Sequence, residues 1–236
     1  MNDKIFTLSN KEDYIYYLAE LIIDFITYKN RLSTYQLEMN KLIEENKNNH
    51  IVDTYLYQSV SDRIKSLFYY IFNLIGDETK TAVSYRKFRK RLYKNRMFLK
   101  LNIDDLSQEE RQIINYFNKH RNWGLHIPES LFVHKKDFFN IDSKYINEHK
   151  KTIIVPHYNF FEIEYLEKLN KETNEVLSLL EKLEKRIFKD YQILVDENFE
   201  ILIVTEKLKS YKIMDIVKSS FNTNSFNNKN HNENRK

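Results

Sequence analysis

The chain of 236 residues contains no cysteine, only two glycines and only two prolines. Without cysteine it can form neither disulfides nor thiolate metal sites, which fits a reducing compartment. Sandwiches of β-strands and parallel α/β folds need many turn residues, whereas long helices need few. The composition therefore predicts an all-α fold, namely an antiparallel bundle of long helices.

Long apolar runs are also missing from the sequence. No stretch approaches the roughly 20 uninterrupted apolar residues of a membrane-spanning helix. Residues 1–10 likewise lack the apolar run of a secretion signal. We therefore expect a cytoplasmic protein with no membrane partner. The net charge of +4 is too small to indicate a polyanionic partner by itself.

The strongest periodic signal lies between residues 10 and 45, where apolar residues recur alternately four and three positions apart. Such a stripe falls on one face of a helix, whereas a strand would place it on both faces. Ser9 and Glu12 have the spacing of a capping box at the start of this helix. The stripe consists of Tyr14, Leu18, Leu21, Phe25, Tyr28, Leu32, Tyr35, Met39 and Leu42.

Four further helices are predicted from the same kind of pattern. The second ends at Gly76, a residue type suited to the left-handed position after a helix. The fourth begins at another capping box, formed by Ser107 and Glu110. The fifth carries apolar residues at heptad spacing, which predicts lengthwise packing on another helix. These helices are expected over residues 53–76, 82–100, 107–123 and 160–190.

Two stretches, residues 127–157 and 199–205, lack helical periodicity. Each is expected to hold a short extended or β insertion, and an extended strap remains an alternative to a strand in the first. A final helix is predicted over 208–221. The Asn-rich tail 222–236 has little to bury and is expected to be disordered. The predicted organisation is therefore one helical domain over residues 1–221, followed by this tail.

Rare residues are concentrated in one short segment. One of the two glycines, one of the two prolines and the only tryptophan fall within residues 120–128. On a continuing helix, Arg121 and His126 would point about 140° apart. If the helix instead ends near Trp123 and Gly124 turns the chain, the two side chains can converge on one ligand.

The polar residues of this segment suit cleavage of a phosphodiester without a metal or another cofactor. The Arg121 guanidinium offers permanent donors that match phosphate oxygens. Histidine as a residue type titrates near neutrality, so His126 can take the proton of a ribose 2′-hydroxyl or protonate the departing 5′-oxygen. Asn122 can orient the phosphate or the imidazole. The alternative is a helix C-cap, in which Arg121 and His126 lie on the last carbonyls.

The segment Arg121-Asn122-x-x-x-His126 resembles the Arg, polar residue, His signature of the HEPN superfamily of helical ribonucleases and their nucleotidyltransferase-associated relatives. The resemblance implies a helical bundle with the motif near a helix end. It also implies that Arg121 and His126 are the catalytic pair, with Asn122 the polar residue after the arginine. The activity implied is metal-independent RNA cleavage that leaves a 2′,3′-cyclic phosphate.

The same resemblance implies a toxin, an antiviral defence effector or an RNA-processing enzyme. Its partners would be RNA, a second copy of the chain, and an antitoxin or a nucleotidyltransferase. A homodimer also has a chemical argument, because the reaction is helped by both an acid and a base, and one motif supplies one such histidine. A non-catalytic helical module that binds RNA or protein remains the alternative.

The predicted third helix carries eight cations and no acidic residue. Charge runs on helices are usually solvated faces. The functional alternative is contact with RNA phosphates, which would make binding strongly salt-dependent. The residues expected on such an RNA-binding face are Arg86, Lys87, Arg89, Lys90, Arg91 and Lys94.

The remaining histidines do not indicate a metal site. His120, His134 and His157 show no ligand spacing such as His-Glu-x-x-His. We interpret them as structural and expect neither metal nor cofactor.

Overall fold

A computed structural model of the chain describes residues 6–80, 82–125, 136, 151–152, 155 and 157–203. The fold is mostly helical, which confirms the all-α prediction. The elements with described bounds are, in chain order, α1 (Lys11–Asn46), β1 (Ile51–Asp53), α2 (Thr54–Gly76), α3 (Tyr85–Asn95), α4 (Gln108–Leu125), β2 (Phe160–Glu162) and α5 (Glu164–Val195).

Helix α1 buries its predicted apolar stripe. Leu18, Leu32 and Met39 are completely buried, while Tyr28 and Tyr35 are partly buried against the same core. Burial of a side chain of this size contributes about 1.5–3 kcal/mol. The single long helix inferred from the stripe is therefore confirmed.

The cap of α1 lies one residue later than the Ser9 and Glu12 pair predicts. The Asn10 side chain accepts a hydrogen bond from the Asp13 backbone N–H at 2.9 Å, and the Asp13 carboxylate accepts from the Asn10 N–H at 3.1 Å. Asparagine and aspartate satisfy the exposed N–H groups of a first turn as well as serine and glutamate do. The prediction was wrong in its register, since two such pairs overlap in the sequence.

Helix α5 packs lengthwise and antiparallel against α1. Lys29 Nζ lies 2.7 Å from Glu184 Oε2, and further along α1 the Asn40 side chain accepts a hydrogen bond from Asn170 Nδ2 at 2.7 Å. Higher residue numbers on α1 therefore meet lower numbers on α5. The lengthwise packing expected from the heptad spacing is confirmed.

Helix α2 covers another side of α1 as the antiparallel partner of a hairpin. Arg63 Nη2 lies 2.6 Å from Glu38 Oε2, and the ring of Tyr70 stacks on Tyr28 with centroids 5.6 Å apart. The order of these pairs shows that the two helices run in opposite directions. The predicted α1–α2 hairpin is therefore confirmed.

A short antiparallel sheet ties the α1–α2 connection to the start of α5. Val52 of β1 pairs with Phe161 of β2, and Val52 is completely buried. The Phe161 ring stacks on Tyr57 with centroids 4.4 Å apart. Strands of three residues are too short to show an alternating pattern, so the sequence did not predict this pairing. Most of the insertion predicted over 127–157 lies outside the described residues.

The chain divides into two compact units, residues 1–198 and 199–236. The features described below all belong to the first unit. Residues 199–203 form no strand, so the β insertion predicted over 199–205 is not found in its described part. The predicted helix 208–221 and the predicted domain boundary after residue 221 lie outside the described residues. Among the described helices, none has the length and apolar character needed to cross a membrane.

Candidate functional site

Helix α4 carries the Arg-Asn part of the motif on its last turn. It begins at the predicted capping box, which is confirmed, because Ser107 Oγ accepts from the Glu110 N–H and Glu110 accepts from the Ser107 N–H. It continues through Gly124 to Leu125. The prediction that Gly124 breaks the helix is therefore wrong. A glycine costs an interior helical position only about 1 kcal/mol relative to alanine, so a packed helix can continue through it.

Three side chains hold the Arg121 guanidinium. Nη2 lies 3.2 Å from Asp77 Oδ2, Nε donates to Asn73 Oδ1 at 3.3 Å, and Nη1 donates to Asn122 Oδ1 at 3.1 Å. The Arg121 side chain is only 17% exposed, and that of Asp77 only 11%. A guanidinium has five N–H donors. These described partners therefore leave two donors for a ligand.

Asp77 reaches Arg121 because α2 and α4 approach unusually closely at Gly76. A Cβ atom on Gly76 would lie 2.5 Å from the backbone N of Asn118 and 2.7 Å from its Cα. No described glycine has a positive φ, so the left-handed position predicted for Gly76 is wrong. Gly76 is the last residue of α2. Only glycine fits at this position, because any side chain would collide with the backbone of α4. The contact places Asp77 opposite Arg121.

A cavity of about 280 Å³ opens beside the Arg121 guanidinium. We name it the Arg121 groove. The ring of His120 lies at its wall, 4.1 Å from the ring centroid of Tyr116 and 5.7 Å from that of Phe72. The groove thus combines aromatic walls with two cations, Lys65 and Arg121. It is lined by Lys65, Phe68, Tyr69, Phe72, His120 and Arg121.

His120 is suited to accept a proton in this groove. Desolvation lowers the pKa of His120 and the charge of Lys119 lowers it further, while Glu172 and Glu175 oppose the shift. A histidine with a lowered pKa is neutral at pH 7. The sequence interpretation of His120 as structural did not anticipate its place in the groove. Its adjacency to Arg121 was the one available signal.

The other motif residues are placed only in part. Asn122 is exposed and engages Arg121 itself. His126 lies outside the described residues, so its convergence with Arg121 remains a prediction. Asn73 and Asp77 were missed, because no pattern in the sequence connects the end of α2 with the end of α4. The described part of the chain contains no cluster of histidine, aspartate and glutamate able to hold a metal ion.

The predicted basic face on α3 is partly used for internal contacts. Arg89 is 2% exposed, and its Nε lies 2.9 Å from Asp190 Oδ2 on α5. Arg86 Nε donates to Glu78 at 2.6 Å, and Lys87 Nζ donates to backbone carbonyls of the α2–α3 connection. Arg89 is therefore buried in an internal ion pair and is not part of an exposed RNA-binding face, which corrects its predicted role. Helix α3 is also shorter than the predicted range 82–100.

The other cations predicted on that face remain open to solvent. Lys90 and Lys94 are exposed, and Arg91 is partly exposed. None of the three has an ion-pair partner among the described residues. These three residues therefore form the part of the predicted RNA-binding face that is accessible to a polyanion.

Comparison with family models, with curated proteins and with solved structures gives no match to this chain. The evidence for function therefore lies in the residues of the site itself. These offer an oriented guanidinium, a neutral imidazole beside it, and aromatic walls.

Proposed function

We propose that this chain is a metal-independent endoribonuclease that acts through Arg121 and His126. The observation that carries the proposal is the Arg121 guanidinium, which Asp77 and Asn73 orient at the edge of an aromatic groove. An oriented guanidinium with free donors is suited to bind a phosphate and to stabilise the charge of a phosphorane-like transition state. The proposed cellular role is that of a toxin or antiviral effector.

The walls of the Arg121 groove suit single-stranded RNA. Tyr69 is 45% exposed and offers a ring face to an unpaired base, and Phe72 lies beside it. Lys65 and Arg121 can meet the phosphates on either side of that base. Aromatic stacking of this kind contributes about 1–3 kcal/mol per base and requires bases that are not paired.

In the proposed reaction the imidazole of His126 removes the proton from a ribose 2′-hydroxyl. The 2′-oxygen attacks the neighbouring phosphorus, the bond from phosphorus to the 5′-oxygen breaks, and that oxygen leaves with a proton. The products are a 2′,3′-cyclic phosphate and a 5′-hydroxyl. The proton for the leaving oxygen comes from His126 of a second copy of the chain.

The first prediction concerns cleavage itself. The purified protein is expected to cut a single-stranded RNA oligonucleotide in excess EDTA, because no step requires a metal. Both His126→Ala and Arg121→Ala are expected to lower the rate at least about 100-fold, the usual scale for a general base or a charge-stabilising donor. Gel analysis of products from end-labelled RNA measures the rate and detects the cyclic phosphate.

Control variants distinguish a loss of catalytic activity from a loss of the folded structure. Gln112→Ala changes an exposed residue of the same helix that does not line the groove, so it should leave the rate unchanged. Arg121→Lys retains a charge near Asp77 but not the guanidinium fork, so it should fold and still cleave poorly. Circular dichroism and thermal unfolding monitor each variant. Cleavage that stops in EDTA, or folded variants with full activity, would reject the mechanism.

The second prediction concerns RNA binding in the groove. In the His126→Ala background, which holds RNA without cutting it, Tyr69→Ala should weaken binding by about 5–150-fold, the equivalent of one lost stacked base. Fluorescence anisotropy with a labelled oligonucleotide measures the affinity. Tyr55→Ala is the matched control, because Tyr55 is a more exposed tyrosine on the same helix and lies outside the groove. Equal affinities for all three proteins would exclude base stacking at Tyr69.

The second candidate function is a non-catalytic RNA-binding module. It is favoured by the partners of Arg121, since Asp77 and Asn73 already engage the guanidinium within the chain. For such a module, wild-type protein retains RNA without cutting it, and raising the salt concentration releases the RNA. The cleavage assay in EDTA and a salt titration of binding distinguish the two functions.

A further inference from the structure

A second cavity, of about 480 Å³, lies between α3 and α4 and shares no lining residue with the Arg121 groove. Helix α3 lines it with residues at positions i, i+3, i+4 and i+7, which form a single helical face. Helix α4 contributes residues at i, i+3 and i+4. From α3 these are Arg86, Arg89, Lys90 and Tyr93, and from α4 they are Arg111, Ile114 and Asn115.

Four cations and two carboxylates line this cavity, which we name the α3–α4 cavity. Glu78 pairs with Arg86 at 2.6 Å, and Asp105 pairs with Arg111. The two carboxylates are each 50% exposed, so they can move into solvent at little cost. Lys90 has no ion-pair partner among the described residues. The lining therefore carries more positive charge than its own acids offset.

One of the four cations, Arg89, is buried and is held in place by contacts within the chain. It is 2% exposed, its Nε faces Asp190, and its Nη2 donates to the backbone carbonyl of Asp104. Its Nη1 is buried with no hydrogen-bond acceptor among the described residues. Asp190 is also shared with Arg186, whose Nη2 lies 3.0 Å away. Glu110 Oε1 also lies 3.9 Å from Arg186 Nε, but the Glu110 side chain is 22% exposed, so Asp190 is the one completely buried carboxylate beside the two guanidinium groups. The unmatched Nη1 donor of Arg89 favours an anion nearby.

We propose that the α3–α4 cavity binds the terminal phosphate of a nucleotide. Arg86, Lys90 and Arg111 would take the phosphate oxygens in place of Glu78 and Asp105. Guanidinium groups match phosphate oxygens with paired donors, and a lysine adds a mobile point charge. A volume of about 480 Å³ is within the range of small-ligand sites. The site does not depend on the proposed cleavage reaction.

The phosphate has two sources, a free nucleotide and the 5′-phosphate end of an RNA. Isothermal titration calorimetry measures the affinities for three probes. Inorganic tripolyphosphate and ATP are titrated into the wild-type protein, and a short RNA with either a 5′-phosphate or a 5′-hydroxyl is titrated into His126→Ala, which does not cut it. Tripolyphosphate is expected to bind and to raise the Tm. Tight binding of ATP assigns the free nucleotide, whereas a preference for the 5′-phosphorylated RNA assigns the RNA end, and each of these results supports the proposal.

Matched lysine variants test whether the phosphate binds in this cavity. Lys90→Ala should weaken tripolyphosphate binding at least about tenfold, whereas Lys94→Ala should leave it unchanged, because Lys94 is equally a surface lysine of α3 but does not line the cavity. Tripolyphosphate bound at Arg121 would be lost in Arg121→Ala and kept in Lys90→Ala, so these two variants separate the Arg121 groove from the α3–α4 cavity. The proposal is overturned if sodium chloride at the same ionic strength raises the Tm as much, or if Lys90→Ala and Lys94→Ala bind equally. Loss of RNA cleavage alone leaves it standing.

Discussion

Replacing Gly76 with alanine is expected to lower the free energy of unfolding by at least about 2 kcal/mol. In an exposed helical position the same change stabilises a protein by up to about 1 kcal/mol. Here the added methyl group would lie 2.5 Å from Asn118 N and 2.8 Å from the Phe117 carbonyl carbon. Both are backbone atoms of α4, so no side-chain rotation relieves the clash, and overpacking of this kind costs about 1–3 kcal/mol or more.

The change at Gly76 should also disturb the candidate site. Moving α2 away from α4 carries Asp77 away from Arg121, so the variant is expected to lose RNA cleavage or binding even where it stays folded. Thermal unfolding should show a Tm lower by about 4–8 °C, since 1 kcal/mol corresponds to about 2–4 °C in a chain of this size.

Ser66→Ala is the matched control for Gly76→Ala. Ser66 is exposed on the same helix, so its replacement should change stability by less than about 0.5 kcal/mol. Chemical denaturation of both variants gives the comparison. An unchanged or higher stability of Gly76→Ala would contradict the close approach of α2 and α4 at Gly76.

Replacing Asp190 with alanine should have the largest effect of any single charge, a loss of about 3–5 kcal/mol. Asp190 is completely buried and lies 2.9 Å from Arg89 Nε and 3.0 Å from Arg186 Nη2, and it accepts a hydrogen bond from the Tyr85 hydroxyl at 2.7 Å. Without it, two guanidinium groups are buried with no neighbouring carboxylate of comparable burial. Uncompensated buried charge is costly, because water no longer solvates it.

The neighbouring residue provides the control for Asp190. Lys189 pairs with Asp104 at 2.6 Å, but their side chains are 52% and 62% exposed. Exposed ion pairs contribute about 0–1 kcal/mol, so Lys189→Ala should have little effect. Urea denaturation of both variants measures the difference. Similar losses for the two variants would show that burial does not set the strength of the Asp190 contacts.

The parts of the fold that could be predicted from the sequence are those that depend on local periodicity. The apolar stripe of α1 repeats within one segment, so it predicts both the helix and its buried face. The cap at Ser107 and Glu110 is local in the same way. The β1–β2 pair was not predicted, because it joins segments more than 100 residues apart and each strand is only three residues long.

The candidate site was predicted only where its residues are neighbours in the sequence. Arg121 stood out through the unusual composition around it, whereas Asp77 gave no signal because its role comes from contact with another helix. Arg89 shows the opposite error. It stood in a run of cations that resembled a solvated face, while its partner Asp190 lies on α5. Packing between distant segments decided both cases.

The packing of α1 against α5 has a consequence for synthesis of the chain. Helix α1 is complete at Asn46, but α5 begins only at Glu164. A ribosome adds about 5–20 residues per second. The face of α1 that packs against α5 therefore stays uncovered for on the order of 10 s. During that interval the nascent chain exposes apolar surface that a chaperone can bind or that promotes aggregation. Production in cells should therefore respond to chaperone supply and to growth temperature more strongly than the stability of the finished bundle suggests.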